Sequence, residues 1–444
     1  MNGLIVAAPA SNSGKTLVTL GLLRHMHCLG KSVVSAKVGP DYIDPGFHAA
    51  ASGRPCHNID AWAMRDETLG RILLSLSKEA KFVVCEGVMG LFDGARVASR
   101  QNIGSTADVA RITGWSVILV VDASAQAASA AAVVRGFANH ERNVKIAGVI
   151  FNRVGSPGHE QILRAAMSAC LPNIPVVGCL PRTNLLELPA RHLGLVQAME
   201  HPNLEKFING AAGLIAEHID LKVLFSLAQP TIKVTEGTGG ILPFGQRIAV
   251  ARDAAFTFTY LHLLDGWRSV GAEIRFFSPL ANEAPWSEAD AIYLPGGYPE
   301  LFAGLLSTNK IFLNGLRDAA SRGTSLFGEC GGYMVLGRRI IDAEGAPHVM
   351  AGLLGLETSF ESPRLHLGYR IASLVAEGFL GAKNKVFLGH EFHYATILVE
   401  EGDRPLFRVT DSALTNVTST GLIDGNVAGS FVHLIDQEAL SGYK

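Results

Sequence analysis

Charge is scarce in this 444-residue sequence: Asp, Glu, Lys and Arg together make up 18% of it, and the net charge is −2. So small a balance provides neither a basic face for nucleic acid nor a polybasic patch for a membrane. Long apolar runs are missing as well; none reaches the roughly eighteen residues that a membrane span needs. The six cysteines (28, 56, 85, 170, 179 and 330) form no CxxC pair and no finger-like spacing. Reduced thiols in a cytoplasm are therefore expected, rather than a disulfide framework or a structural zinc site. No basic segment precedes the apolar run Leu4–Ala8, so no targeting peptide is expected.

Glycine is plentiful, at 48 residues, in a chain that is 48% hydrophobic. Lean charge with abundant glycine suits α/β enzymes, whose buried parallel strands end in tight turns. The length exceeds what one core usually organises, so two domains are expected. Strand-like and helix-like patterns alternate through the first half: Leu4–Ala8, Ser32–Ala36, Phe82–Cys85, Val117–Val121, Ile146–Phe151 and Val176–Leu180 read as strands, with a helix over Lys15–Leu29. Pro230, Gly237, Gly239, Gly240, Pro243 and Gly245 then mark a linker at 229–246 between domains at 1–228 and 247–444. A second alternation follows, with strands at Ile248–Ala251, Glu273–Phe277, Ala291–Leu294 and Ser325–Gly328. The last 80 or so residues read as β-rich.

Two places carry chemistry. The first strand runs into Ser11-Asn12-Ser13-Gly14-Lys15-Thr16 and a helix. A strand, a small-residue loop, Gly-Lys-Thr and a helix together make a phosphate cradle: loop N–H groups surround the phosphate oxygens, Lys15 neutralises charge, and the Thr16 hydroxyl reaches a metal ion. The motif is a variant, because Pro9 stands where its first glycine belongs. ATP with Mg²⁺ is the expected ligand. Lys37, Asp41 and Asp44 follow the second strand, and Glu86 and Asp93 the third, at carboxyl ends where open α/β sheets bind ligands. Any one of these acids alone reads equally well as a loop cap. Together they point to metal (Thr16, Asp44 and Glu86) and to substrate or phosphoryl transfer (Lys37, Asp41 and Asp93).

The second place is Ser325–Tyr333, where an apolar run ends in Gly328-Glu329-Cys330-Gly331-Gly332 before a helical pattern. A sharp strand-to-helix turn presents a nucleophile and requires glycine neighbours, and the helix N-terminus favours a thiolate. A buried structural cysteine is the plain alternative, and the glycine setting outweighs it.

These motifs resemble the family of corrinoid a,c-diamide synthases, glutamine-dependent amidotransferases. The resemblance rests on the Ser-Gly-Lys-Thr loop, Lys37–His48 (KVGPDYIDPGFH), Glu86–Gly94 (EGVMGLFDG), Gly104–Asp108 (GSTAD), Arg191–Val196 (RHLGLV), Gly296–Leu301 (GGYPEL), Gly328–Gly332 (GECGG) and Gly389–Thr396 (GHEFHYAT). It implies an N-terminal domain similar to dethiobiotin synthetase, which phosphorylates a carboxylate, and a C-terminal domain similar to class I glutaminases. Cys330 is then the nucleophile and His433 its base, with Gly297 and Gly331 N–H groups as oxyanion donors. Many such glutaminases carry His-x-Glu, but position 435 is Ile, which leaves Asp436 or a backbone carbonyl to orient the imidazole. His390 and His393 could pass for a metal pair; strand alternation puts them on opposite faces, so contact with the corrinoid or domain packing is expected instead.

The implied reaction uses ATP, L-glutamine and a corrinoid, with ammonia passing from Cys330 to an acyl phosphate by an enclosed route. Val196–His201 and the His-Leu-Ile-Asp ending lean towards metal-free hydrogenobyrinate over cobyrinate. A homodimer is the family expectation. Two rivals remain: a sister enzyme acting on nickel–sirohydrochlorin, and a P-loop regulatory ATPase fused to an inactive glutaminase-like domain.

Overall fold

The computed structural model describes residues 1–97, 101–183, 196–232, 237 and 239–438. The Arg191–Val196 motif lies outside them except for Val196. Two compact units emerge, the first spanning Met1–Trp62, Leu69–Ala95 and Arg100–Gly237, the second Ala63–Thr68, Arg96–Ser99 and Thr238–Lys444.

Unit 1 is built on strands whose residues are buried on both faces, which is why they read as unbroken apolar runs rather than as alternation. β1 (Asn2–Ala7), β2 (Val33–Val38), β3 (Cys56–Ile59), β4 (Phe82–Glu86), β5 (Ser116–Asp122), β6 (Ile146–Val154) and β7 (Val176–Pro181) lie in the order β3-β2-β4-β1-β5-β6-β7, all parallel. β8 (Gln229–Pro230), placed in the linker by its proline, instead pairs antiparallel with β1. The chain leaves β1 towards β4 and β2 on one side and reaches β5 on the other, so the carboxyl end of β1 is a switch point where a ligand crevice opens. α1 (Lys15–Cys28) starts there and buries Val18, Leu20, Leu22, Leu23 and Met26. Gly30 follows it in the left-handed region.

β3 escaped the sequence reading because Cys-His-Asn-Ile carries no apolar alternation. Its Asn58 is buried to hold the loop after β2, donating to the carbonyls of Gly39 (2.9 Å) and Asp41 (2.7 Å).

Unit 2 opens with β9 (Arg247–Ala251), β10 (Glu273–Phe277), β11 (Ala291–Leu294) and β12 (Ser325–Glu329), parallel in the order β10-β9-β11-β12. The β-rich end resolves into β13 (Arg339–Ile341), β14 (Pro347–Val349), β15 (Gly355–Ser359), β16 (His366–Leu374), β17 (Val386–His393), β18 (Thr396–Glu401), β19 (Pro405–Asp411), β20 (Val417–Asp424), β21 (Val427–Ser430) and β22 (Val432–Gln437). The main sheet continues from β12 as β21-β20-β19-β16-β17-β22, and β14-β13-β15-β18 form a second sheet. Asp436, on β22, is buried and accepts hydrogen bonds from Arg65 N (3.0 Å), Arg65 Nη2 (2.9 Å) and Thr68 Oγ1 (2.6 Å) within this unit. Among the described residues, no helix is long and apolar enough to cross a membrane.

Candidate active site

The small-residue loop between β1 and α1 holds its shape through internal bonds. Ser13 Oγ donates to Ala10 O (2.9 Å), Asn152 Nδ2 donates to Ser13 O (3.0 Å), and Gly14 takes φ +98°. A Cβ on Gly14 would lie 2.2 Å from Asn152 Nδ2, so glycine is required on steric as well as backbone grounds. Ser11 and Asn12 are exposed, and Asn12 sits in the left-handed region at φ 62°. Lys15 Nζ reaches Met89 O at 2.6 Å, and Thr16 Oγ1 donates to Glu86 Oε1 at 2.6 Å.

Glu86 is the hub of a buried charge cluster. Its Oε1 also takes Lys37 Nζ at 3.0 Å, and its Oε2 meets His48 Nε2 at 2.6 Å. Lys37 Nζ lies 2.5 Å from Asp44 Oδ2 and 3.9 Å from Asp41 Oδ2. Burial opposes charge on every member, but the opposite signs win. Burial would lower the Lys37 pKa, yet Asp44, Glu86 and Asp41 raise it well above the ordinary value. Burial would raise that of Glu86, yet Lys37 and His48 hold the carboxyl below the usual range. Asp44 behaves oppositely: burial and its neighbour Asp41 push its carboxyl up to about 7. His48, unassigned by the sequence reading although it ends the Lys37–His48 motif, is held protonated; Cys56 and Glu86 outweigh burial and raise it to about 10. Its Nδ1 lies 3.4 Å from Cys56 Sγ.

The remaining acids divide. Asp41 Oδ1 accepts from Ile43 N (2.7 Å) and Asp44 N (3.1 Å), which shapes the entry to α2 (Asp44–Ser52) while its other oxygen faces Lys37. Asp93 is exposed, and its Oδ2 holds Gly90 N at 2.8 Å, a loop-bracing bond. The Gly104–Asp108 motif has a structural explanation: Ser105 and Asp108 form a capping box on the helix Thr106–Thr113.

In unit 2 Cys330 stands between β12 and the helix Gly331–Leu336 at φ 48°, ψ −104°, a strained conformation for a residue with a side chain. The surroundings enforce it. Cys330 N donates to Ser430 O (2.8 Å) and Gly332 N to Pro295 O (3.1 Å), and a Cβ on Gly332 would fall 1.9 Å from Leu294 O. The two expected oxyanion donors converge, since a Cβ on Gly331 would lie 3.1 Å from Gly297 N. The sharp turn agrees with the sequence reading; the electrostatics do not. Burial and the Glu300 carboxylate push the Cys330 thiol above its ordinary value, and the N–H of Gly331 offsets this only in part. The six-residue helix therefore does not hold a ready thiolate.

His433 projects from β22, opposite His390 of β17. Gly389 precedes His390 because the strands close up there: a Cβ would sit 2.4 Å from His433 O, where the register shifts. Burial, then His390 and His393, lower the His433 pKa to about 3, so the imidazole is neutral and able to accept a proton. His390 thus faces His433 across the strand pair.

Asp436 does not orient His433, because its oxygens are taken by Arg65 and Thr68. The nearest carboxylate is Glu329, with Oε2 3.9 Å from His433 Nδ1. Its Oε1 accepts from Leu434 N (3.1 Å) and its Oε2 from Tyr293 Oη (2.7 Å). Glu329 therefore adjoins Cys330 through its main chain and grips, through its side chain, the residue following His433. Burial raises its carboxyl to about 8, so it is neutral at pH 7. The signal in the sequence was an acid immediately before the nucleophile, inside a run otherwise apolar.

Comparison with known proteins follows this division into two sites. Residues 247–439 match the CobB/CobQ-like glutamine amidotransferase domain, and residues 4–196 match the CobQ/CobB/MinD/ParA nucleotide binding domain. Along the whole chain, the sequence is 51% identical over 439 residues to a protein of Brucella abortus named hydrogenobyrinate a,c-diamide synthase, covering 98% of this chain and 99% of that protein. The chain belongs to that family. Proteins of the same name from Rhizobium meliloti (51% over 436 residues, 98% and 99% covered) and Rhodobacter capsulatus (51% over 435 residues, 98% of each) are similarly close.

Membership assigns the amidotransferase half to the Cys330 unit, and two outcomes follow from its geometry. A histidine near its ordinary value of about 6.5 would cost a base-dependent rate roughly 25-fold between pH 7 and pH 5. With His433 lowered, its proton is shed well below that window, so glutamate release should change less than about twofold; a pH–rate profile of kcat/KM for glutamine checks this. Glu329→Ala should lower glutaminase kcat on the order of 10²-fold by loosening the base. Glu329→Gln, an amide isostere of a neutral carboxyl, should keep most of it at pH 7, as steady-state kinetics of the two variants will test.

Proposed function

We propose that this chain amidates the a and c acetate carboxylates of hydrogenobyrinate, using ATP and glutamine. The observation that carries the reading is the 51% identity to hydrogenobyrinate a,c-diamide synthases across 98% of the chain.

A carboxylate is a poor acyl donor, because oxide is a poor leaving group. In the proposed sequence a substrate carboxylate attacks the γ-phosphorus of ATP, giving an acyl phosphate and ADP. Ammonia then displaces phosphate to form the amide. Lys15 and the loop N–H groups hold the nucleotide phosphates, and Lys37, which shares Glu86 with Thr16, is the proposed partner of the transferred phosphoryl group. The Thr16 hydroxyl and the Glu86 and Asp44 carboxylates are hard oxygen donors suited to Mg²⁺, which when bound neutralises phosphate charge.

Ammonia comes from glutamine. His433 takes the Cys330 proton as sulfur attacks the amide carbon, the N–H groups of Gly297 and Gly331 stabilise the oxyanion, and His433 returns the proton to the leaving ammonia. Water releases glutamate from the thioester. A cytoplasmic setting is supported by six free cysteines, and the homodimer is carried over from the family resemblance.

Hydrogenobyrinate and cobyrinate, assayed side by side with ATP and glutamine, test the substrate. Hydrogenobyrinate is expected to give the higher kcat/KM by at least tenfold, and equal or reversed preference would overturn the assignment. Cys330→Ser should abolish amidation with glutamine while leaving amidation with ammonium chloride. Glutamine-driven turnover that survives this change would remove Cys330 from the mechanism.

A further inference from the structure

Strand alternation along β17 argues against a metal shared by His390 and His393. The structure places the relevant partners across the strand pair instead. His366 of β16 is the register partner of His393, and Glu391 lies two residues before His393 on the same face. One ligand atom from each of His366, Glu391 and His393 lies within 4.8 Å of the other two. We propose that these three residues form a site for a divalent transition-metal ion of the Zn²⁺, Co²⁺ or Ni²⁺ class.

Three observations carry this. First, His393 Nε2 and Glu391 Oε1 are 2.9 Å apart, the separation of two donors about 2.1 Å from one ion at a right angle. Second, the carboxylate is already oriented: Arg370 Nε binds Glu391 Oε2 at 2.6 Å, which leaves Oε1 towards His393, the outer-shell arrangement that fixes ligating carboxylates. Third, His393 is only 5% exposed, so an ion on its Nε2 would be held largely away from bulk water.

His366 completes the set from the partly exposed rim. Its ring is parallel to that of His393 within 4°, at a centroid distance of 4.6 Å. Joining both nitrogens to one ion requires the partly exposed His366 ring to turn out of this stack, because an imidazole binds a metal in its own ring plane. Two imidazoles and one carboxylate favour borderline metals over Mg²⁺, which prefers oxygen, and leave coordination positions open. The ligands flank Phe392, whose carbonyl accepts a hydrogen bond from Cys330 Sγ at 3.6 Å, so occupancy bears on the glutaminase centre.

Titration of the chelator-treated full-length protein with Co²⁺, followed by visible absorption, tests the site. Saturation at one equivalent is expected, with d–d bands of nitrogen and oxygen ligation and displacement by Zn²⁺. His366→Ala and His366→Gln should each weaken binding at least tenfold while circular dichroism stays unchanged. His348→Ala should keep it, since that histidine pairs with Asp342 elsewhere. The proposal fails if affinity is unchanged in both His366 variants or if His348→Ala removes the signal. A sulfur-to-cobalt charge-transfer band would likewise defeat it by placing the ion on an exposed thiol, Cys28 or Cys170.

Discussion

Lys37 carries a positive charge into unit 1 with only 3% of its surface exposed, and its neighbours are arranged to keep it there. An isolated buried ammonium would lose its proton. Asp44, Asp41 and Glu86 prevent this, and each is placed by a different element: Asp44 by the start of α2, Asp41 by the turn before it, and Glu86 by the end of β4. His48 and Thr16 then bind the remaining positions on Glu86. The phosphate loop, two strand ends and a helix start are thereby fixed to one carboxylate. Removing Lys37 alone would leave three acids crowded together, which makes this ion the element on which the geometry of the nucleotide end depends.

Unit 2 meets the same shortage of water with the opposite solution. Cys330, His433 and Glu329 are as buried as Lys37, but among the described residues no cation acts on Cys330 to stabilise a thiolate. The thiol and the Glu329 carboxyl are raised and the imidazole lowered, so all three rest neutral. In the proposed reaction, a neutral thiol and a neutral imidazole make the nucleophile only as the proton moves, in step with attack on a carbonyl held at the oxyanion donors. Such a site is poorly reactive until glutamine is in place, and that restraint suits an enzyme whose ammonia is useful only when an acceptor is ready.

What could be read from the sequence follows from what kind of signal each feature leaves. Tight turns leave glycines, so the Cys330 turn and the phosphate loop were legible, and buried parallel strands leave apolar runs, so most strands of both units were too. Features made across space left little trace. β3 is short and polar because it serves the loop after β2, and the pairing of His366 with His393 exists only once β16 and β17 are in register. The thiolate expectation failed for a related reason: a helix N-terminus is visible in sequence, whereas the loss of solvent around the sulfur is a property of the packed unit.

The absence of glutamate at position 435 shows how one requirement can be met from another direction. In a His-x-Glu arrangement the orienting acid follows the base along its own strand. Here Ile435 fills that place, its side chain buried and its carbonyl held by His262 Nε2 at 2.8 Å. Glu329 comes instead from the residue before Cys330, and its bond to Leu434 N ties β22 to β12 next to His433. Tyr293, one strand over on β11, secures the carboxyl from behind. Because the same residue is covalently joined to Cys330, any movement of the nucleophile is passed directly to the segment carrying His433. A glutamate on β22 would orient the base but would not fix its position relative to the sulfur in this way.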